Sequence, residues 1–260
     1  MKRIAVTAAK GGIGKTFISV HLCWIIHYLK YKTGLVDLGS TQPACQFLDR
    51  DKYIRNDIST SNFAFTTKDG IVVASCEDWD KVTGYRNEFH DIISNPQHPP
   101  KTLNNRKILR NIEVVIYDTD HWLKSLVNFI EKFDTIIILI DNSDFSSLTN
   151  LAVVWQQISN SNFGQTRSKI KILSNKSKQP KNAWKKLKKH SIDLFRDRMF
   201  KDEDIKKYIS EMEESYVFDI SIPKYSKSFN ANAKSTPIWR YHKSAYKTFE
   251  FFAKNILIGG

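Results

Sequence analysis

Apolar residues in this chain fall into short unbroken runs, and stretches with helical spacing lie between them. The runs are RIAVTA at residues 3–8, Gly34-Leu35-Val36 leading into a strand that ends at Asp37, Val114 to Tyr117 ending at Asp118, Ile136 to Ile140, and Ile170 to Leu173. A strand with no polar alternation has both faces buried, as in a parallel sheet covered by helices. From Thr16 to Lys30 the apolar positions Ile18, Leu22, Ile25, Ile26 and Leu29 recur at helical spacing. Residues 181–215 read as helical and highly charged, and 243–257 as a closing amphipathic helix with Phe249, Phe252 and Ile256 on one face. Gly70 to Ala74 reads as a further strand, and Asn95 to Pro100 as a Pro-rich loop. The pattern predicts an α/β fold with a mostly parallel sheet and helices on both faces. A length of 260 residues suits a single domain over 1–260.

Composition narrows the class. Hydrophobic residues make up 41% and charged residues 26%, as in a soluble globular chain. No apolar run reaches membrane-spanning length, so no transmembrane helix is predicted. The opening MKRIAVTAAKGG has too short an apolar stretch for a signal peptide and runs into glycines, as a buried strand would. Cys23, Cys45 and Cys76 form no CxxC pair, which disfavours a disulfide framework or a metal site and makes a reducing cytoplasm the expected location.

The net charge of +13 is concentrated. Residues 165–192 hold ten Lys/Arg and no acid, whereas 1–164 hold 18 against 17 and 193–260 hold 12 against 10. A stretch of this kind calls for an anionic polymer or surface as partner.

The strongest chemical signal is AAKGGIGKT, residues 8–16. It follows a strand, opens a helix and approximates the G-x-x-x-x-G-K-[ST] loop, with Ala9 in place of the first glycine. Gly11, Gly12 and Gly14 let successive backbone N–H groups converge on phosphate oxygens, and the helix adds its positive N-terminal end. Ile13 and Phe17 complete the binding stretch. Lys15 suits the β- and γ-phosphates, and the Thr16 hydroxyl suits Mg²⁺. ATP and Mg²⁺ are therefore the expected cofactors.

With Lys10 at its head, KGGIGKT resembles the signature of the ParA/MinD family of deviant Walker ATPases. The resemblance implies a P-loop NTPase in which Lys10 reaches across a homodimer to the partner's nucleotide, so that ATP joins two subunits. It implies that Asp118, in VVIYDTD, is the strand-end aspartate that holds Mg²⁺ through a water. It also implies that Asp37, in GLVDLGSTQPA, is the first aspartate of the family's second motif, with metal and catalytic roles. STQPACQFLDRDKYI resembles the MipZ-like branch, and FDTIIILIDNSDFSSLTN resembles the family's strand-loop-helix with Asp141 in place of its proline. Asn175 and Pro223 fall where the family contacts adenine.

One departure bears on turnover. The family's second aspartate falls on Gly39, which has no side chain to position the attacking water, so hydrolysis is expected to be slow or absent while binding survives. In KNAWKKLKKH, residues 181–190, a helix would turn Trp184 and Leu187 inward and spread Lys181, Lys185, Lys186, Lys188 and Lys189 outward. Lysines suit backbone phosphates without base readout, which predicts non-specific DNA as partner. The expectation is a DNA-bound, nucleoid-associated positioning or partition ATPase, released by a partner or adaptor protein. The alternatives are a metabolic P-loop enzyme that uses ATP, a nucleotide-gated module without turnover, and a MinD-like membrane-associated ATPase. The last is disfavoured because the tail YKTFEFFAKNILIGG is poor in basic residues.

Overall fold

The unbroken apolar runs become strands. The computed structural model describes residues 1–8, 10–38, 43–48, 62–76, 112–119, 133–141, 144–160, 169–176, 179–226 and 234–258. The strands are β1 (Lys2–Ala8), β2 (Thr33–Asp37), β3 (Asn62–Thr66), β4 (Val72–Cys76), β5 (Val114–Asp118), β6 (Thr135–Asp141), β7 (Ile170–Asn175) and β8 (Tyr216–Ile222). The helices are α1 (Lys15–Tyr28), α2 (Pro43–Leu48), α3 (Phe145–Asn160), α4 (Pro180–Asp197), α5 (Asp202–Ser215) and α6 (Lys243–Ile258), with a 3-10 turn at Ile238–Arg240. Strand order in the sheet is β3-β4-β2-β5-β1-β6-β7-β8. The expected mostly parallel α/β sheet is present. β2 pairs in parallel with β4 and β5, and β7 with β6 and β8, while β3 runs antiparallel to β4. The Pro-rich loop at 95–100 and Gly39 lie outside the described residues.

The chain forms two compact units, which divide β1 between them. The first comprises residues 1–5, 16–120 and 226–259. In it α1 is buried around its whole circumference from Ile18 to Ile26, as a helix apolar on every side must be. The helix ends two residues before the predicted Lys30. Lys30 takes the left-handed conformation (φ 75°), and Tyr31 N–H donates to Ile26 O while Lys30 N–H donates to His27 O. This is a Schellman stop. The strand expected from Gly70 begins instead at Val72. Gly70 sits at φ 89° in the turn, donating to Thr67 O, which closes the β3–β4 hairpin. α6 buries Phe249, Phe252 and Ile256, as its pattern predicts. The Lys2 ammonium donates to the Ile256 and Leu257 carbonyls at its C-terminal end, where a cation is favoured.

The second unit comprises residues 6–15 and 121–225. Ile136 to Ile140 are fully buried, and α4 turns Ala183, Trp184, Leu187 and Phe195 inward. The charged stretch read as helical over 181–215 is two helices. α4 stops at a second Schellman turn, with Met199 at φ 59° and Phe200 N–H donating to Phe195 O. The Phe195 and Phe200 rings meet at 5.6 Å, the apolar contact that accompanies this motif. α5 then opens with Asp202, Glu203 and Asp204, acids that suit a helix N-terminus.

Candidate nucleotide site

The glycine loop runs from the end of β1 directly into α1. Gly12 and Gly14 adopt φ values of 74° and 105°, so both glycines are required by the backbone. Among the described residues a Cβ on Gly11 or Gly12 would meet nothing within 4 Å, so none of them fills the space beside the loop there. A Cβ on Gly14 would come within 2.7 Å of Asn175 Nδ2.

In the second unit the loop is tied to the end of β7. Asn175 Nδ2 donates to Ile13 O at 2.5 Å, and its Oδ1 accepts from Lys176 N–H at 2.9 Å. The Lys176 ammonium donates to Gly12 O at 3.2 Å and pairs with Asp141 at 3.2 Å. Lys176 reaches them from a left-handed backbone, φ 58°. Asn175 thus anchors the loop's backbone. Asn175 stands opposite Ile222 in the β7–β8 register, so Pro223 follows at the end of the adjacent strand. Lys10 is also engaged, its ammonium lying 2.7 Å from Asp144 Oδ2.

In the first unit the two predicted carboxylates end neighbouring strands, with Asp37 opposite Asp118 in register. Asp118 is buried and accepts from Thr16 Oγ1 at 2.7 Å and Ser19 Oγ at 2.9 Å. The carboxylate therefore fixes the hydroxyl assigned to Mg²⁺. Asp37 is fully buried, and its Oδ2 accepts from the Ala44 and Cys45 N–H groups at 2.7 and 3.0 Å, capping the start of α2. Phe17 turns its ring toward His21, at 4.1 Å between centroids. Among the described residues no cluster of three His, Cys, Asp or Glu could hold a metal ion. A hydroxyl beside one carboxylate is instead what a Mg²⁺ needs when it arrives with phosphates and keeps its waters.

The sequence pattern does not single out Ser19, Asp144 or Lys176. Ser19 lies three residues after Thr16, on the same helical face, and Asp144 precedes α3 as Asp-Phe-Ser, a helix-capping pattern. Nothing in the linear pattern ties Lys176 to the loop. Of the five α4 lysines, Lys181, Lys185, Lys186 and Lys189 are exposed. Lys188 is half-buried and lies 3.7 Å from Glu213.

A glycine loop between strand and helix, followed by a Thr hydroxyl held on a strand-end aspartate, defines a P-loop nucleotide-binding protein. The chain belongs to the CobQ/CobB/MinD/ParA nucleotide-binding domain family, whose model matches residues 4–238, and with it to the ParA/MinD ATPases. It is 25% identical to the antiactivator FleN of Pseudomonas aeruginosa over 280 aligned positions, covering 98% of this chain and 92% of FleN. Its fold is similar to that of the MinD cell division protein of Aquifex aeolicus, with TM-score 0.62 and 16% identity over 100% of this chain and 98% of that one. It is equally similar to pNOB8 ParA bound to nonspecific DNA, with TM-score 0.62 and 13% identity over 98% and 97% of the two chains.

Proposed function

We propose that this ATPase binds ATP–Mg²⁺, closes into a homodimer on the triphosphate, and in that state binds DNA without sequence preference to position or segregate DNA or another cargo. The observation that carries the proposal is the loop from Lys10 to Thr16, with two left-handed glycines, no described residue crowding Gly11 or Gly12, and its closing hydroxyl held by Asp118. Its backbone N–H groups and Lys15 would neutralise phosphate charge, and bound Mg²⁺ would supply electrophilic stabilisation of the phosphoryl group. Thr16 is the metal-facing hydroxyl, which Asp118 orients. Lys10 is the cation presented to a second copy. Asn175 and Pro223, at neighbouring strand ends, mark the side on which the base would lie.

With Gly39 in place of an acid, turnover is slow, and a partner protein governs release from a cytoplasmic, nucleoid-associated state. The relative named an antiactivator is consistent with a protein partner, and the ParA solved on nonspecific DNA is consistent with the DNA role. A membrane role finds less support, because α6 commits Phe249, Phe252 and Ile256 to the core.

The test is light scattering after size exclusion in ADP and in ATP–Mg²⁺, with and without a random duplex. We expect a dimer only with ATP–Mg²⁺, and a further shift with DNA. Lys10→Ala should abolish the dimer and leave monomer nucleotide affinity within about twofold, since the ion pair it removes is a surface one. A wild-type monomer under every condition would favour the metabolic-enzyme reading.

A further inference from the structure

Lys10 is held by a carboxylate that is itself fixed. Asp144 stands directly before α3, and its Oδ1 accepts from Ser146 N–H at 3.1 Å and Ser146 Oγ at 2.8 Å, an N-cap arrangement. This leaves Oδ2 for the Lys10 ammonium, 2.7 Å away. The bonds from Lys10 and Ser146 hold the Asp144 carboxyl down at about 2, so it is ionised at any pH near neutral. The lysine side chain is 47% exposed and the aspartate 26%. A pair this open to water is weak, amounting to about a fivefold preference at most, so a more highly charged competitor can break it.

We propose that Asp144 is a positioning residue for Lys10. It keeps the head lysine on its own subunit in the nucleotide-free protein and yields it to the triphosphate presented by a second copy, which sets the ATP concentration at which two copies close. This rests on the ATP-dependent dimer proposed above. Each closing dimer breaks two such pairs, so the threshold feels the interaction twice. ADP, which lacks the γ-phosphate, competes less well for the lysine.

Asp144→Asn separates the hold from the cap, because Asn caps a helix as well as Asp does. Two measurements are made on the full chain. In the nucleotide-free monomer, Lys10 acetylation by acetic anhydride is followed by peptide mass spectrometry, and D144N should raise its rate about threefold or more. In an ATP–Mg²⁺ titration followed by light scattering, D144N should reach half-maximal dimerisation at about fivefold lower ATP with unchanged monomer affinity, and Lys10→Ala added to D144N should remove that dimer. Unchanged Lys10 labelling would overturn the hold. An equal or higher ATP requirement in D144N would overturn the threshold role, since Asp144 would then not restrain closure. Faster labelling with no ATP dimer in either protein would overturn the dimer reading, and the threshold with it, while upholding the contact between Asp144 and Lys10.

Discussion

His21 shows how one side chain can join distant segments of the first unit. It is fully buried, and its Nδ1 lies 2.7 Å from Phe17 O while its Nε2 lies 2.8 Å from the Ile238 nitrogen. Since Ile238 N–H donates, Nε2 must accept, and Nδ1 carries the proton it donates to Phe17. Both bonds thus require the neutral ring. Around it stand Phe17, Trp24, Phe47, Trp239 and Phe249, with the Phe249 ring stacked at 5.2 Å. Burial pushes its pKa down to about 3, against 6.5 in an unfolded chain. Below 6.5 the unfolded state binds a proton that the folded state refuses, so stability is fully present above 6.5 and is lost as pH falls toward about 3. The loss should approach about 1.4 kcal/mol per pH unit within that window. Urea unfolding at pH 7, 5.5 and 4.5 tests this: the midpoint should fall for the wild type, and His21→Gln should be weaker at pH 7 with a flatter profile. Parallel profiles would assign the pH dependence to other groups. This role is not legible in sequence, because His21 lies beside the apolar positions that mark α1 and the N–H that donates to it, on Ile238, is more than two hundred residues away. The loop is legible as a motif, since its glycines, lysines and threonine lie together in one continuous stretch, Lys10 to Thr16. Asp144 and Lys176 act on that loop from afar, and no spacing rule connects them to it.

Elements follow the same division between local and distant causes. The five apolar runs become strands within one or two residues, because burial on both faces writes itself into unbroken branched side chains. β8 escapes the pattern: it follows α5 with no intervening turn residue, so the helical signal masks its start. The break between α4 and α5 is also hidden, because it turns on Met199, where a left-handed stop ordinarily carries Gly or Asn. Met199 is 92% exposed, so its side chain contributes nothing that offsets that conformation. Met199→Gly should therefore stabilise the protein by roughly 0.5–1 kcal/mol, the left-handed strain relieved less the greater freedom of an unfolded glycine. Equilibrium denaturation with an unchanged slope checks this, and a loss of stability would mean that Met199 makes an interaction its exposure does not suggest.

At the scale of the whole molecule, charge is the property to test. The segment without acids continues into α4, whose outward lysines are Lys181, Lys185, Lys186 and Lys189. Lys188 differs, because Glu213 on α5 stands 3.7 Å away and already offsets part of its charge. Glu213 therefore sets Lys188 apart from the other four lysines, which the sum of charges along the sequence could not reveal. If the four exposed lysines bind DNA phosphates, changing all four to Glu should remove binding to a random duplex and leave ATP affinity unchanged. Changing them singly to Ala should make the dependence of log K on log salt shallower by about 0.9 for each phosphate that is no longer neutralised. Lys188→Ala should alter that slope least of the five. Fluorescence anisotropy in ATP–Mg²⁺ between low and moderate salt measures all of these. Full binding by the fourfold variant would move the DNA surface off α4, and an equal effect at Lys188 would mean that the ion pair with Glu213 opens on binding.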